Sequence, residues 1–517
     1  MKKLALVVVD SMRHDKLAEA AADGVLPNFS ALLREGTVIE DCVSAFPSVT
    51  PVACAEIATG VTADRHWIPG MNWYHRAEGR YVEYGSSLEA TRACGLFRTL
   101  YDTVYNMNMA HLSPEAETVF ERLGDAGVRT ACTPFLIYRG RRRHELGLDG
   151  LMRRVAVAAR FRHAVWGPDE LFYGELYASR KVPCKPTLAR PGTRDEYSAC
   201  VGRALVEAGA YDFLLFSLPD NDHHAHSHGV RAMPQSLAHA DRCFGELVDA
   251  AGGMREFLDS HSVILAADHA QTDVAREFPL AKALGDRWRV LRPSSELAGS
   301  DEIAVSPTAR AAGVYVLADG RRARAVHAGV RAHLAALEGV DLVAWLGRGD
   351  GSPPDGDELA RARAGEASSL EAIVERRGRQ LRFRPGGSVA DERGAGWDLE
   401  GDLGALDAEV RDGLFSSPRY PDALTRLWAA LHSPHAGDIL LSLADGYECV
   451  DWGAASHLGG ASHGALSAAD SLAPLVLVDV GDGSRADRRW ALRDLAGLVL
   501  GHFGVAAPPR PLAEAAA

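Results

Sequence analysis

No stretch of this 517-residue chain is apolar enough, for long enough, to span a bilayer. Its eight cysteines show no CxxC spacing, so neither a thiolate zinc site nor a disulfide framework is expected. Positive charge is in deficit: 56 Lys and Arg stand against 69 Asp and Glu, for a formal net charge of −13. That balance argues against duplex nucleic acid or an anionic membrane as the main partner. It leaves room for a small phosphorylated substrate, because bound cations would reverse the local field. There is no internal repeat and no long low-complexity tract. Lys2 and Lys3 before an apolar run imitate a signal peptide, but the run is short and meets Asp10 and Ser11 with no small-residue cleavage site. It reads as a first strand, and a cytoplasmic protein is expected.

A chain of this length exceeds one simple core, so subdomains or large insertions are expected. Hydrophobic content of 47% and charged content of 24% are ordinary for a soluble globular protein. Strand and helix signals alternate over residues 1–70, 197–275 and 435–505, which are assigned to one α/β core. In it, Leu4 to Val9, Phe213 to Leu218, Val263 to Ala267, Asp438 to Leu443 and Leu475 to Val480 read as strands. The rhythm is lost over 71–196 and 276–434, which are read as two inserted cap regions; 506–517 reads as a flexible tail. The basic run Arg139 to Arg143 reads as a solvated face.

Five acid, histidine or hydroxyl islands punctuate the core. Asp10 ends the first strand. Thr50 precedes Pro51 at a helix start ended by Gly60, where threonine can N-cap and proline is tolerated. The run Asp220 to His228 holds four histidines and two aspartates directly after a strand, which is costly unless cations or water neutralise them. A carboxylate four residues before an imidazole suits one metal, so Asp220/His224 and Asp222/His226 both qualify. Asp268-His269 closes another strand, and His463 lies in a Gly-rich loop with His457 as its rival. Ligands of open α/β sheets gather beyond the carboxyl ends of the strands, so these islands can meet. Carboxylates, imidazoles and one hydroxyl suit a pair of zinc-class ions with a nucleophile between them. Thr50 is the nucleophile candidate; Ser44 and Ser48 compete.

Taken in order, these motifs resemble the alkaline phosphatase superfamily, in its type I phosphodiesterase/nucleotide pyrophosphatase branch. The resemblance rests on Asp10, on Thr50 nine residues before Thr59-Gly60, on Asp222-x-x-x-His226-x-x-Gly229, on Asp268-His269 and on His463-Gly464. His66 is a loose match to a histidine after the nucleophile helix. The resemblance implies an alkaline-phosphatase-like, mostly parallel sheet flanked by helices. It implies one metal on Asp222, His226 and His463, another on Asp10, Asp268 and His269, and Thr50 between them. That spacing prefers Asp222/His226 to Asp220/His224. The branch usually has asparagine three residues after the nucleophile; here the residue is Ala53.

The reading is a metal-dependent hydrolase of a phosphodiester or pyrophosphate bond, acting on a small phosphorylated substrate through a phospho-threonine intermediate. Two divalent ions are expected, zinc from the Asp/His set, with manganese as the alternative. A phosphomutase would share the ligands but return the phosphoryl group to substrate. A sulfatase is disfavoured, since the Thr50 region lacks Cys/Ser-x-Pro-x-Arg. A non-catalytic metal-stabilised binding protein would turn over no generic aryl ester.

Overall fold

Strand Lys3–Val9 is buried from Leu4 onward, as a strand covered on both faces must be. The computed structural model describes residues 1–147, 161, 163–174, 176–185, 193–293, 299–366, 368–453, 455–481 and 489–508. Lys3–Val9 pairs in parallel with Phe213–Leu218 on one side and His261–Ala266 on the other. Thr130–Cys132 and then Glu170–Tyr173 extend the first side in parallel, and Tyr177–Ala178 closes that edge antiparallel. On the other side Leu472–Val478 runs antiparallel between His261–Ala266 and Thr37–Val43. These eight strands form a mixed, mostly parallel sheet.

Successive side chains of a strand point to opposite faces, and the packing follows that alternation. Leu4, Leu6 and Val8 join a core with helices Thr50–Thr59, Val119–Asp125 and Asp494–His502. Ala5, Val7 and Val9 face helices Pro27–Glu35, Arg194–Glu207 and Met233–Ala250. The fold class is therefore the expected α/β sandwich of helices on a central sheet.

The stretch 276–434, expected as an insertion, supplies most of a second, nine-stranded sheet. Ile439–Leu443, which reads in the sequence as a core strand, lies within this second sheet, antiparallel to Ala311–Val316 and Val340–Gly347. Its apolar run is equally suited to either sheet, and only pairing decides. Thr130–Cys132 and Glu170–Tyr173, from the stretch read as a cap, belong to the first sheet. At three and four residues they are too short to show a period. Among the described residues no helix is long and apolar enough to cross a membrane. Of the tail 506–517, residues 509–517 lie outside the described residues.

Two expectations need correction. Cys184 and Cys200 form a disulfide, although no framework was expected; two cysteines 16 apart carry no recognisable spacing, and contact alone reveals the pair. Arg139 to Arg143 is not wholly a solvated face. The Arg139 guanidinium is largely buried, donating to the carbonyls of Leu112, Ser113 and Ala116 and pairing with Glu121.

Helix Thr50–Thr59 is buried from Pro51 to Thr59 and stops at Gly60, whose φ of +73° suits a residue without Cβ. It therefore sequesters Glu56, whose carboxyl is pushed by burial from 4.5 to about 7, against the pull of Arg493. A carboxyl raised on folding stabilises the fold at low pH and loses that contribution as pH climbs toward the folded value. Relative to the parent, Glu56→Gln is expected to gain stability between about pH 4.5 and pH 7, reaching ~3 kcal/mol at most, and to gain nothing further above. Paired denaturant titrations across that range check it.

Candidate active site

Three parallel strands deliver the acidic groups. Asp10 follows Lys3–Val9, and its N–H donates to the carbonyl of Leu218 on the neighbouring strand. Asp268 and His269 follow His261–Ala266. After Phe213–Leu218 and Pro219 the chain forms an α-helix, Asp220–His228, rather than a loop. Side chains four apart on a helix share a face, so Asp222 and His226 point together, with His226 Nε2 3.3 Å from Asp222 Oδ1. His463 arrives from elsewhere: strand Ala461–Ser462 pairs with Thr272–Asp273, just beyond Asp268-His269. The approach requires Gly460, because a Cβ there would lie 2.0 Å from the His226 carbonyl oxygen.

The result is two groups with ligand atoms within 4.8 Å of one another, Asp222/His226/His463 and Asp10/Asp268/His269. Their imidazoles are stacked, His269 on His463 with ring centres 3.8 Å apart. His226 Nδ1 donates to the Ala461 carbonyl at 2.7 Å and His463 Nδ1 to the Ser48 carbonyl at 2.9 Å. A carbonyl can only accept, so these contacts leave each Nε2 lone pair facing the site, as for a metal-ligating histidine.

Thr50 Oγ1 lies 3.3 Å from His269 Nε2. Thr50 is the first residue of its helix and does not cap it; Val49 holds the cap position in extended backbone. The expected N-cap role is thus corrected, the hydroxyl being turned toward His269 instead. Its rivals are committed to backbone: Ser44 Oγ donates to the Asp268 carbonyl at 2.6 Å and Ser48 Oγ to that of Ala465 at 2.9 Å. Cys54, one turn on, is buried with its thiol pushed far up by burial, so it is no thiolate nucleophile.

The electrostatics call for positive charge. Asp10 is pushed well above the usual carboxylate range by burial first, then by Asp268 and Asp222. Asp268 rises to about 6, again through burial, with a hydrogen bond from the Ser11 N–H opposing. Burial acts against the charge on Asp222 as well, but His226, His463 and His269 outweigh it and hold that carboxyl well below its usual range. Asp10 Oδ1 and Asp268 Oδ2 are buried with no hydrogen-bond partner among the described residues. Orphaned carboxylate oxygens beside inward-facing imidazole nitrogens fit divalent cations.

The remaining sequence candidates fall outside these groups. Asp220 accepts from the Asp195 N–H while Asp195 accepts from its own, and His224 stacks on His228 away from the pair. Asp195, Asp220 and His239 form a third close group. His457 binds Glu448 and stacks on His226. His66 is buried, accepts from the Ile68 N–H and lies in neither group.

Sequence reasoning missed Ser11. At φ +59° it adopts a backbone that non-glycine residues seldom take. Its N–H donates to Asp268 Oδ1 at 3.1 Å, and its hydroxyl donates to Asp222 Oδ1 at 2.8 Å. One residue thereby ties the two ligand groups together. Its only signal in the sequence is adjacency to Asp10.

Fold and site define a member of the alkaline phosphatase superfamily, with a mostly parallel sheet carrying acid and imidazole groups at its strand ends. The model of the type I phosphodiesterase / nucleotide pyrophosphatase family matches residues 4–354, and the chain belongs to that family of metal-dependent phosphoester hydrolases. Solved structures share the fold. Murine ectonucleotide pyrophosphatase / phosphodiesterase 5 is 12% identical, with a TM-score of 0.56 over 98% of this chain and 97% of its own. Phosphonoacetate hydrolase from Sinorhizobium meliloti 1021, in complex with phosphonoformate, is 15% identical, with a TM-score of 0.52 over 97% and 95%. No curated protein matches the chain.

Proposed function

We propose that the protein hydrolyses a phosphodiester or pyrophosphate bond of a small substrate with two divalent cations and Thr50 as nucleophile. Asp222, His226 and His463 would hold one cation, and Asp10, Asp268 and His269 the other. Bound there, the cations would supply Lewis acidity, easing loss of the Thr50 proton and neutralising charge on phosphoryl oxygens. Thr50 Oγ1 attacks phosphorus as the bond to the leaving oxygen breaks, giving a phospho-threonine. Water then breaks the bond between phosphorus and Oγ1. In the first turn of helix Thr50–Thr59, Pro51 has no N–H and those of Val52 and Ala53 donate to the Val49 carbonyl, so the turn offers an anion the N–H of Thr50 itself. Zinc suits the Asp/His donors, and manganese is the alternative.

The observation that carries this reading is the Thr50 hydroxyl, set against His269 where the two ligand groups meet, while both rival serines are bound to carbonyls. The ligands of the structural neighbours are small phosphorus-bearing anions, AMP in a murine neighbour and phosphonoformate in the hydrolase. The test pairs elemental analysis of the purified protein with a screen of nitrophenyl phosphate mono- and diesters. About two equivalents of metal and turnover abolished by chelator are expected. Activity that survives complete removal of metal would sink the proposal.

A further inference from the structure

Asp195, Asp220 and His239 meet outside the two groups assigned to catalysis, with ligand atoms again within 4.8 Å of one another. Helices Arg194–Glu207, Asp220–His228 and Met233–Ala250 supply one residue each. Residues two apart on a helix do not face each other, so Asp220 and Asp222 serve different sides of theirs. The group repeats the donor set of Asp10, Asp268 and His269, a pair of carboxylates with one imidazole. It repeats the electrostatics as well. Asp195 and Asp220 are buried side by side, and burial first, then the Asp220 charge, push the Asp195 carboxyl well above the usual range.

Hydrogen bonds account for only part of this acidity. Asp195 Oδ1 accepts from the Asp220 N–H and Asp220 Oδ2 from the Asp195 N–H, each at 2.9 Å. Asp220 Oδ1 accepts from Arg194 Nε at 3.2 Å. Asp195 Oδ2 is buried with no hydrogen-bond partner among the described residues. Reciprocal capping of the helices explains the other oxygens and leaves this one bare, a desolvation cost that a cation would remove. His239 is half-buried, which gives an ion a way in. Its ring meets Arg242 Nη2 at 3.4 Å and Cys243 Sγ at 3.7 Å. One contact is long for a hydrogen bond and the other is to a weak thiol partner, so neither holds a ring nitrogen fast.

We infer that Asp195, Asp220 and His239 form a third divalent-cation site, structural rather than catalytic, with zinc as the ion its donors suit. A cation there would lock the short helix that carries Asp222 and His226 to its two neighbours. The Arg194 and Arg242 guanidiniums border the group and oppose a cation, so the site fills after the catalytic pair, as free zinc is raised. The inference stands independently of the hydrolase reading, because none of its residues belongs to the catalytic groups. Asp220, one of the ligand candidates in the sequence, becomes a ligand of this site instead.

The test dialyses the metal-free protein to equilibrium against rising free zinc. The parent is expected to bind one equivalent more than His239→Ala, whatever number the catalytic groups hold. His239→Ala should weaken that last binding event by about 100-fold or more. Asp195→Asn, which keeps an oxygen for the Asp220 N–H, should do the same. His228→Ala removes an exposed imidazole of the same His-rich stretch and should change nothing. Filling the last equivalent should also raise the melting temperature of the parent by a few degrees and leave that of His239→Ala unmoved. Equal zinc uptake by the parent and His239→Ala overturns the site. So does loss of the last equivalent in His228→Ala, which would mark an ion adventitiously held at the surface. A parent that binds a single equivalent, absent from His239→Ala, would support this site and sink the catalytic pair.

Discussion

Thr50→Ala is expected to reduce turnover by a factor on the order of 10⁴ or more while leaving the metal content unchanged. The side chain is half-buried, its hydroxyl caps no helix, and among the described residues its one polar contact is the 3.3 Å approach to His269. Removing it therefore costs the fold little, and the melting temperature should stay within a few degrees of the parent. Thr50→Ser keeps the hydroxyl on a side chain with one methyl fewer and should retain measurable turnover. Mass spectrometry of acid-quenched protein offers a second reading: a phosphate adduct in the parent and none in Thr50→Ala. Undiminished activity in Thr50→Ala would remove the hydroxyl from the mechanism.

The second large effect is expected at Asp268, where one substitution should act in opposite directions with and without metal. Asp268 is fully buried and its carboxyl is raised to about 6 by that burial, against an ordinary value of 3.8. A carboxyl raised on folding stabilises the fold below about pH 4 and loses that contribution as pH rises to about 6. Near pH 8, then, ionised Asp268 weighs against the metal-free fold. Asp268→Asn removes that charge and keeps an oxygen to accept from the Ser11 and His269 N–H groups. The metal-free variant should melt higher than the metal-free parent at pH 8 and no higher near pH 4. With metal present the order should reverse, because loss of one charged ligand weakens the site by about 100-fold or more, and turnover should fall with it. Calorimetry on both forms at both pH values checks the crossing. A metal-loaded variant as stable and as active as the loaded parent would sever Asp268 from the cation.

Much of the site was legible because its strands are. Leu4 to Val9, Phe213 to Leu218 and Val263 to Ala267 are mostly apolar runs, and Asp10, Asp222 and Asp268 follow them within a few residues. The choice of Asp222/His226 over Asp220/His224 rested on family spacing, and the structure gathers the former pair with His463. The helix that carries them was not legible, since Asp220–His228 has almost no apolar stripe and forms where the strand must turn back. Ser11 escaped notice because its role depends on a left-handed backbone. The second sheet was hidden for another reason. Its strands alternate with loops and short helices in the same manner as an irregular insertion, and only their pairing separates the two.

The place of Leu472–Val478 has a consequence for how the molecule is made. This strand fills a slot between Thr37–Val43 and His261–Ala266, both of which leave the ribosome about 200 residues or more before it. Until it arrives, the nascent sheet holds two apolar edges apart with their backbone groups unpaired, an invitation to mispairing with other chains. His463 emerges just ahead of it. Closure of the sheet and delivery of that imidazole thus coincide, long after both flanking strands have been made.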